Sequence, residues 1–299
     1  MLEGRNASIL CYGATGAGKT HTMTGSVNDP GVMVLTLRAL FRKLEEKTGS
    51  EGQYSVQLSY LEVYNETVRD LLSPGRALVL RADSNLDVTV AGLSLLKASS
   101  AQEVMALLQR GNRNRTTEAT GCNQTSSRSH ALLQVHFEYS VRTTVRVGKL
   151  SLIDLAGSER ALATDARSAR SMEGAKINQS LLALSSCIKA VTEGRGHIPY
   201  RNSKLTQLLK VGEGGAAVAR PMPHAPCPGF MRGGDGWQDS LGGKCRSSMI
   251  ANISPSQATS SETQNTLHWA DRAKEIRTKV PHGALPWQHR ASSARTHRI

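Results

Sequence analysis

Eight residues near the start of the chain, Gly13-Ala14-Thr15-Gly16-Ala17-Gly18-Lys19-Thr20, match the pattern G-x-x-x-x-G-K-[ST]. That spacing is a phosphate-binding loop. Its glycines let successive backbone N–H groups turn inward around phosphate oxygens. Its lysine reaches the outer phosphates, and its threonine hydroxyl can ligate Mg²⁺. The flanks agree. Residues 7–12 read as a buried strand feeding the loop, and the helix that follows would aim its positive end at the phosphates. A glycine-rich turn ahead of a helix is the bland alternative, but strand, loop, Lys19 and Thr20 all agree with the phosphate loop.

The 299 residues suffice for one large α/β domain or two small ones. Hydrophobic residues make up 39%, with no apolar run near the roughly 18 residues that a spanning helix needs, so a membrane span is excluded. No charged-then-apolar leader opens the chain. Five scattered cysteines without a C-x-x-C pair disfavour structural zinc and fit a reducing cytosol. The net charge of +13 points to a polyanionic partner: nucleic acid, anionic lipid or an acidic protein surface. An aromatic content of 4% weakens the base-stacking modes of nucleic-acid binding. A basic surface kept for solubility is the simpler explanation of the charge.

Hydrophobic periodicity then sets out the elements. Leu37, Leu40, Phe41 and Leu44 recur at helical spacing, and the glycines at 49 and 52 end that helix. Residues 54–64 read as a strand covered on both faces. Ser100-x-x-Glu103 forms a capping box for a helix that Gly111 stops. Ala131, Leu133, Val135, Phe137 and Tyr139 alternate as in a half-buried strand, and residues 149–154 make a further strand ending in an acid. Ile177, Leu181, Leu184, Ile188 and Val191 form one stripe of a long helix. Residues 248–253 are a last strand, and Ser261-x-x-Gln264 opens a final helix carrying Leu267, Ala270, Ala273 and Ile276. Strands interleaved with helices indicate an α/β sheet domain. No internal repeat is present. Residues 211–238 hold seven glycines and four prolines without periodicity, and residues 281–299 are basic without acids. Both read as inserted or disordered sequence.

Two further segments narrow the chemistry. Asn123-Gln124-Thr125-Ser126-Ser127-Arg128-Ser129-His130 precedes the alternating strand, and Asp154-Leu155-Ala156-Gly157-Ser158-Glu159 follows the next one. Loops at the ends of adjacent strands can converge on one nucleotide at the open edge of a sheet. An acid at a strand end is where a carboxylate serving the Mg²⁺ shell belongs. Gly157 leaves its backbone N–H unobstructed, so that it can bond a terminal phosphate and sense its loss.

With these residues in hand, the chain resembles the kinesin motor domain. The resemblance is carried by Tyr12 to Met23, the N-x-x-S-S-R-S-H segment (switch I), and the D-L-A-G-S-E segment (switch II). It is supported by Tyr60-Leu61-Glu62-Val63-Tyr64-Asn65-Glu66, by Asn178 to Leu184 and by His197 to Thr206. It covers about residues 4–210 and 239–280. Gly111-Asn112-Arg113-Asn114-Arg115 and Arg81-Ala82-Asp83-Ser84 look most like the eighth kinesin class. The resemblance implies a P-loop NTPase fold, a central mixed sheet flanked by helices. It implies MgATP hydrolysis coupled to movement on microtubules, in the cytoplasm and on the microtubule cytoskeleton, rather than nucleic-acid binding. ATP phosphates would be held by Lys19 with the loop Gly13, Ala14, Thr15, Gly16, Ala17 and Gly18. Thr20 would bind Mg²⁺ with help from Ser127, and Asp154 would hold its water shell. Ser126 and the backbone of Gly157 would position the attacking water and the γ-phosphate. Arg128 and Glu159 would form the ion pair that closes the switches, a geometrically exacting latch; a merely structural surface pair is the alternative. His21 lies near the base, or is an ordinary helix-start histidine. Arg195 to Lys210 carries four Lys/Arg cations and no acid. Read alone this is a solvated face; in the family the matching loop meets acidic tubulin, with Arg201 and Lys204 the preferred contacts, then Lys189. Phosphate loss at Gly157 would move switch II and, through it, the helix at about 176–191.

The chain also departs from the family. Family motors start upstream of Met1, which leaves the strand at 248–253 as an expected unpaired edge. Residues 211–238 split a helix between Lys210 and Asp239; their composition looks like translated non-coding sequence, with a long surface loop as the alternative. The expected organisation is a partial motor domain over 1–280, an irregular insert at 211–238 and a disordered basic tail at 281–299. No neck or coiled coil follows Val280, so dimerisation is not supported. The isolated chain is therefore expected to hydrolyse ATP poorly or not at all. A tubulin-binding module without turnover and a P-loop enzyme acting on nucleic acid are the competing functions.

Overall fold

A computed structural model describes residues 2–3, 5–26, 28–50, 52–82, 88–117, 127–141, 144–159, 169–210, 241 and 245–276. In chain order the elements are β1 (Ala7–Tyr12), α1 (Lys19–Thr24), α2 (Val32–Thr48), β2 (Gln53–Tyr64), β3 (Thr67–Asp70), β4 (Val79–Ala82), β5 (Val88–Ala91), β6 (Leu96–Ala98), α3 (Ala101–Thr117), β7 (Ser129–Val141), β8 (Thr144–Asp154), α4 (Ala169–Thr192), α5 (Lys204–Leu209), β9 (Arg246–Ala251) and α6 (Ser260–Ala273). The proposed insert at 211–238 and the tail at 281–299 lie outside the described residues.

The main sheet runs β3-β2-β7-β8-β1-β9, with β6 also paired to β2, and β4–β5 form a separate ribbon. β1 runs parallel to both β8 and β9, whereas β7 is antiparallel to β8 and to β2. The mixed sheet and its flanking helices are those the sequence implies. β9 forms one edge of this sheet, as expected for the last strand. Alternation along each strand sends side chains to two cores. One holds Cys11, Tyr60, Leu133, Phe137 and Leu152 under α1, α2 and α3. The other holds Leu10, Leu61, Leu132 and Ile153 under α4 and α5, with Trp269 and Ala273 of α6 packed against it.

Register brings the functional loops together. Cys11 pairs with Asp154, and Asp154 pairs with Ala131. The C-terminal ends of β1 and β8 and the N-terminal end of antiparallel β7 therefore lie side by side, and the loops joined to them open on one edge.

Several sequence expectations change. Gly111 does not stop α3, which continues to Thr117. It is glycine because the helix lies against Tyr60: a Cβ there would sit 2.3 Å from the ring's Cδ1. Glu103 does cap this helix, but its carboxylate accepts from Ser99 N–H at 2.7 Å, while Ser100 Oγ accepts from Glu103 N–H at 3.2 Å. β7 is not half-buried over its length; its first seven residues are buried on both faces, because α4 covers the side opposite the alternating stripe. In α6, which starts at Ser260, Leu267 is 50% exposed and Thr266 is buried instead, whereas Ala273 and, just past the helix, Ile276 pack against the second core as the stripe predicts.

Candidate functional site

The loop between β1 and α1 is shaped by backbone that only glycine takes easily. Gly16 (φ 80°) and Gly18 (φ 90°) are left-handed and exposed, with nothing within 4 Å of where a Cβ would stand, so it is the backbone conformation and not crowding that calls for glycine there. Lys19 is buried and its Nζ donates to the carbonyls of Gly13 and Ala14, both at 2.8 Å. Burial pushes its pKa down, while Glu159 and Asp154 push it back up.

Behind the loop lies a charged knot. Thr20 Oγ1 donates to Asp154 Oδ2 at 2.8 Å. Arg115 Nη1 donates to the same oxygen at 2.8 Å, and its other nitrogens donate to Ser129 Oγ at 3.2 Å and to Ser129 O at 2.9 Å. Arg115 Nε also lies 3.9 Å from Glu62 Oε1. Arg115, Glu62 and Asp154 are all buried. Burial opposes the Arg115 charge, but Asp154 and the polar groups around it hold its pKa up. The sequence reading used Arg115 and Glu62 only as family markers. The missed signals were a glutamate inside the apolar run 54–64, and an arginine one helical turn beyond Gly111, hence on the helix face that meets Tyr60.

The switch segments meet the loop differently. Gly157 N–H donates to Ser127 O at 2.8 Å, and Ser158 N–H donates to Gly13 O at 3.0 Å. Phosphate loop, Ser127 and Gly157 are thus in one place, but the Gly157 N–H, expected to be unobstructed, is taken up by Ser127 O and has to leave it to bond a phosphate. The Arg128–Glu159 latch is not formed. Glu159 accepts from Thr15 N–H at 2.8 Å and from Thr15 Oγ1 at 2.5 Å, and Arg128 Nη1 donates to Glu173 of α4 at 2.6 Å. The reason is that each charge finds a nearer partner: the loop's own N–H for the carboxylate, and a carboxylate on α4 for the guanidinium. Ser126 lies outside the described residues. His21 is exposed, its Nε2 3.9 Å from Asp29.

The donor set fits Mg²⁺. Asp154 Oδ1 is buried without a hydrogen-bond partner beside the Thr20 hydroxyl pair. Among the described residues no three His, Cys, Asp or Glu gather into a cage. A hydroxyl and one carboxylate are what a hard cation that keeps most of its waters requires.

The cationic segment sits apart from this knot. Lys189 is 3.8 Å from Glu193, which also accepts from Arg195 Nε at 2.6 Å. Arg201 is exposed, in a short turn of helix over Tyr200–Asn202. Lys204 opens α5, and its backbone N–H donates to Glu66 Oε2 at 2.8 Å. Glu66 itself has φ 60° in the two-residue turn between β2 and β3. Among the described residues no helix is long and apolar enough to cross a membrane.

Comparison with known proteins agrees with this geometry. The family model described as the kinesin motor domain matches residues 1–219 and 237–276. The chain is 61% identical over 284 residues to the kinesin-like protein KIN-8A of Arabidopsis thaliana, covering 93% of this chain and 35% of the relative. It is 60% identical to KIN-8A of Oryza sativa subsp. japonica and 48% identical to KIF18B of Homo sapiens, each over 94% of this chain, and 33% and 30% of those relatives. The chain thus spans about a third of the length of the curated relatives it matches. Among solved structures, that of a fast kinesin, described for its ATPase mechanism and interactions with microtubules, superposes with a TM-score of 0.77 at 35% identity. That match covers 99% of this chain and 79% of the other. A KIF14 dimer with AMP-PNP on a microtubule gives a TM-score of 0.74 at 34% identity, over 92% of this chain and 72% of the other.

Proposed function

The chain belongs to the kinesin motor domain family, and on that premise we propose that it is an ATP-driven microtubule motor. It hydrolyses MgATP and couples the hydrolysis to microtubule binding and movement on the cytoplasmic microtubule cytoskeleton. The observation that carries this reading is the meeting of three loops: Thr20 on Asp154, Gly157 on Ser127 and Ser158 on Gly13. The motor unit spans 1–280 with an insertion at 211–238 and a tail at 281–299. The break in the family match between 219 and 237 supports the insertion.

In this reading Lys19 and the loop N–H groups bind the triphosphate. Thr20, Ser127 and Asp154 hold Mg²⁺, which supplies neutralisation of the phosphate charge when bound. Ser126 and the Gly157 backbone orient the attacking water. A phosphate oxygen and the Glu159 carboxylate are both anions that seek the Thr15 N–H. Nucleotide binding therefore favours release of Glu159, which is then free to pair with Arg128 once Arg128 leaves Glu173. Closure is an exchange of ion pairs rather than the creation of one. Arg201 and Lys204, with Lys189, meet acidic tubulin, and α4 links them to the switches.

The test is phosphate release by the purified chain with and without microtubules, alongside cosedimentation. Turnover is expected to be slow, and its stimulation by microtubules is the quantity that decides. Cosedimentation without turnover selects a tubulin-binding module. Equal competition by DNA for the same surface, or no cosedimentation at all, overturns the reading.

A further inference from the structure

His130 ends the S-S-R-S-H string, and neither the phosphate loop nor the proposed latch uses it. It lies one residue into β7, is 2% exposed, and uses both ring nitrogens. Ala156 N–H donates to Nδ1 at 3.0 Å. Nδ1 is therefore an acceptor, the ring proton sits on Nε2, and Nε2 donates to Ser180 Oγ at 2.7 Å. Ser180 in turn donates to Ile177 O at 2.7 Å, within α4. The direction of every bond is thereby fixed. Burial, with Arg115 and Lys19 nearby, pushes the imidazole pKa down to about 3, so the ring is neutral in this bridge at neutral pH.

The bridge joins the two parts that a motor has to join. Ala156 directly precedes Gly157, whose N–H rests on Ser127. Ser180 is buried on α4 next to Leu181, in the stripe that continues through Leu184 and Ile188 into the second core. One rigid ring spans the gap. If Ala156 moves and Ser180 does not, buried polar atoms lose their partners; if they move together, none does. A small cavity lined by Arg128, Lys176, Ser180 and His130 itself, among others, borders the bond.

We propose that His130 is a positioning residue that transmits displacement of the 155–157 loop to α4 through Ser180. The proposal rests on reading the chain as a nucleotide-driven, microtubule-stimulated ATPase, and it names the contact through which the coupling runs.

The test uses the full chain and two substitutions, Ser180→Ala and His130→Gln, singly and together. Ser180→Ala removes only the α4 end of the bridge and puts a strong helix former in its place. The stimulated rate is expected to fall roughly five- to tenfold in Ser180→Ala while the basal rate holds within about twofold. Adding His130→Gln is expected to lower the stimulated rate little further, because both substitutions break one path. Ser180→Thr, which keeps the hydroxyl, is expected to restore stimulation. A second readout needs no microtubules: amide exchange over 177–190 is expected to respond to added MgATP in the parent and not in Ser180→Ala. Parent-like stimulation in Ser180→Ala, or equal loss of basal and stimulated rates, overturns the bridge. If microtubules fail to stimulate the parent, the motor reading fails on its own, and the exchange experiment still decides. An equal response in both proteins, or none in the parent, then overturns the bridge.

Discussion

The two sides of the proposed nucleotide site are built differently. On the strand side, the buried Asp154, Arg115 and Ser129 lock together and the exposed Thr20 joins them through Asp154, all within 3.2 Å contacts. On the switch side, Arg128 and Glu159 are partly exposed, and each holds a partner other than the one that the closed latch requires. The first side is fixed by β-sheet register, which admits no alternative without turning side chains to the wrong face. The second is fixed by side-chain pairings of similar strength, which are exchangeable. A site that has to bind a phosphate and then report its loss needs both kinds of construction: a rigid frame, and a set of charges with two places to go.

The sharpest way to break this contrast is to remove one arginine from each side. Arg115→Ala leaves the buried Asp154 carboxylate without its guanidinium and is expected to cost about 3–5 kcal/mol, read by urea denaturation. Arg128→Ala breaks a less buried pair with Glu173 and is expected to cost about 1–2 kcal/mol, while abolishing most turnover. Equal losses of stability would mean that the switch side is as locked as the strand side.

Acid sharpens the comparison along β7, the strand that both sides share. His130 and His136 are held neutral, chiefly by burial, with folded pKa values of about 3 and about 4. Arg115 and Lys19 add to this at His130, and Lys149 adds at His136. Unfolded, each titrates near 6.5. Between those values the unfolded chain takes up a proton that the native chain refuses. Stability is therefore full above pH 6.5 and falls as pH drops toward 4 and then 3. Each histidine contributes a slope of at most about 1.4 kcal/mol per pH unit. Over pH 6.5 to 5, before carboxylates titrate, His136→Gln is expected to remove one such slope in denaturation curves. An unchanged slope would show that His136 is solvated in the native chain.

What the sequence disclosed follows the same division. Residues 7–12 were legible as a strand to the residue, because a short apolar run stops at a glycine loop. The phosphate loop was legible because each of its residue types has a mechanical job. The Arg115 knot was not, although its parts were in plain view. It depends on Cys11, Asp154 and Ala131 lying in register, and register joins residues far apart in the chain. Gly111 was misread for a related reason. A glycine that ends a helix and one that lets a ring approach look alike until Tyr60 is placed over it. The latch was expected from residue type, but local pattern does not say which of two carboxylates a guanidinium takes, and Arg128 holds Glu173.

The smallest expected effect is the most discriminating, because two terms nearly cancel. Glu66 holds a left-handed backbone with φ 60° in a turn that glycine or asparagine would fill more easily, and its carboxylate accepts the first N–H of α5 at Lys204. Glu66→Gly relieves about 1 kcal/mol of backbone strain and gives up a capping contact of about the same size. The melting temperature is therefore expected to stay within a few degrees of the parent. The position of Lys204 is not expected to survive as well. Without the carboxylate, the start of α5 keeps its Ser203–Thr206 capping box but loses its tie to the β2–β3 turn, so the cationic segment from Arg201 to Lys204 is held less firmly for a flat acidic partner. The microtubule concentration for half-maximal stimulation should rise by roughly two- to fivefold with the basal rate unchanged, which is the cost of ordering one short segment on binding. Glu66→Gln, which keeps an acceptor oxygen but not the charge, should fall between the two. A drop in melting temperature with unaltered half-maximal concentration would make the turn a piece of the frame. The predicted pattern makes it part of the moving side, reached from the far edge of the sheet.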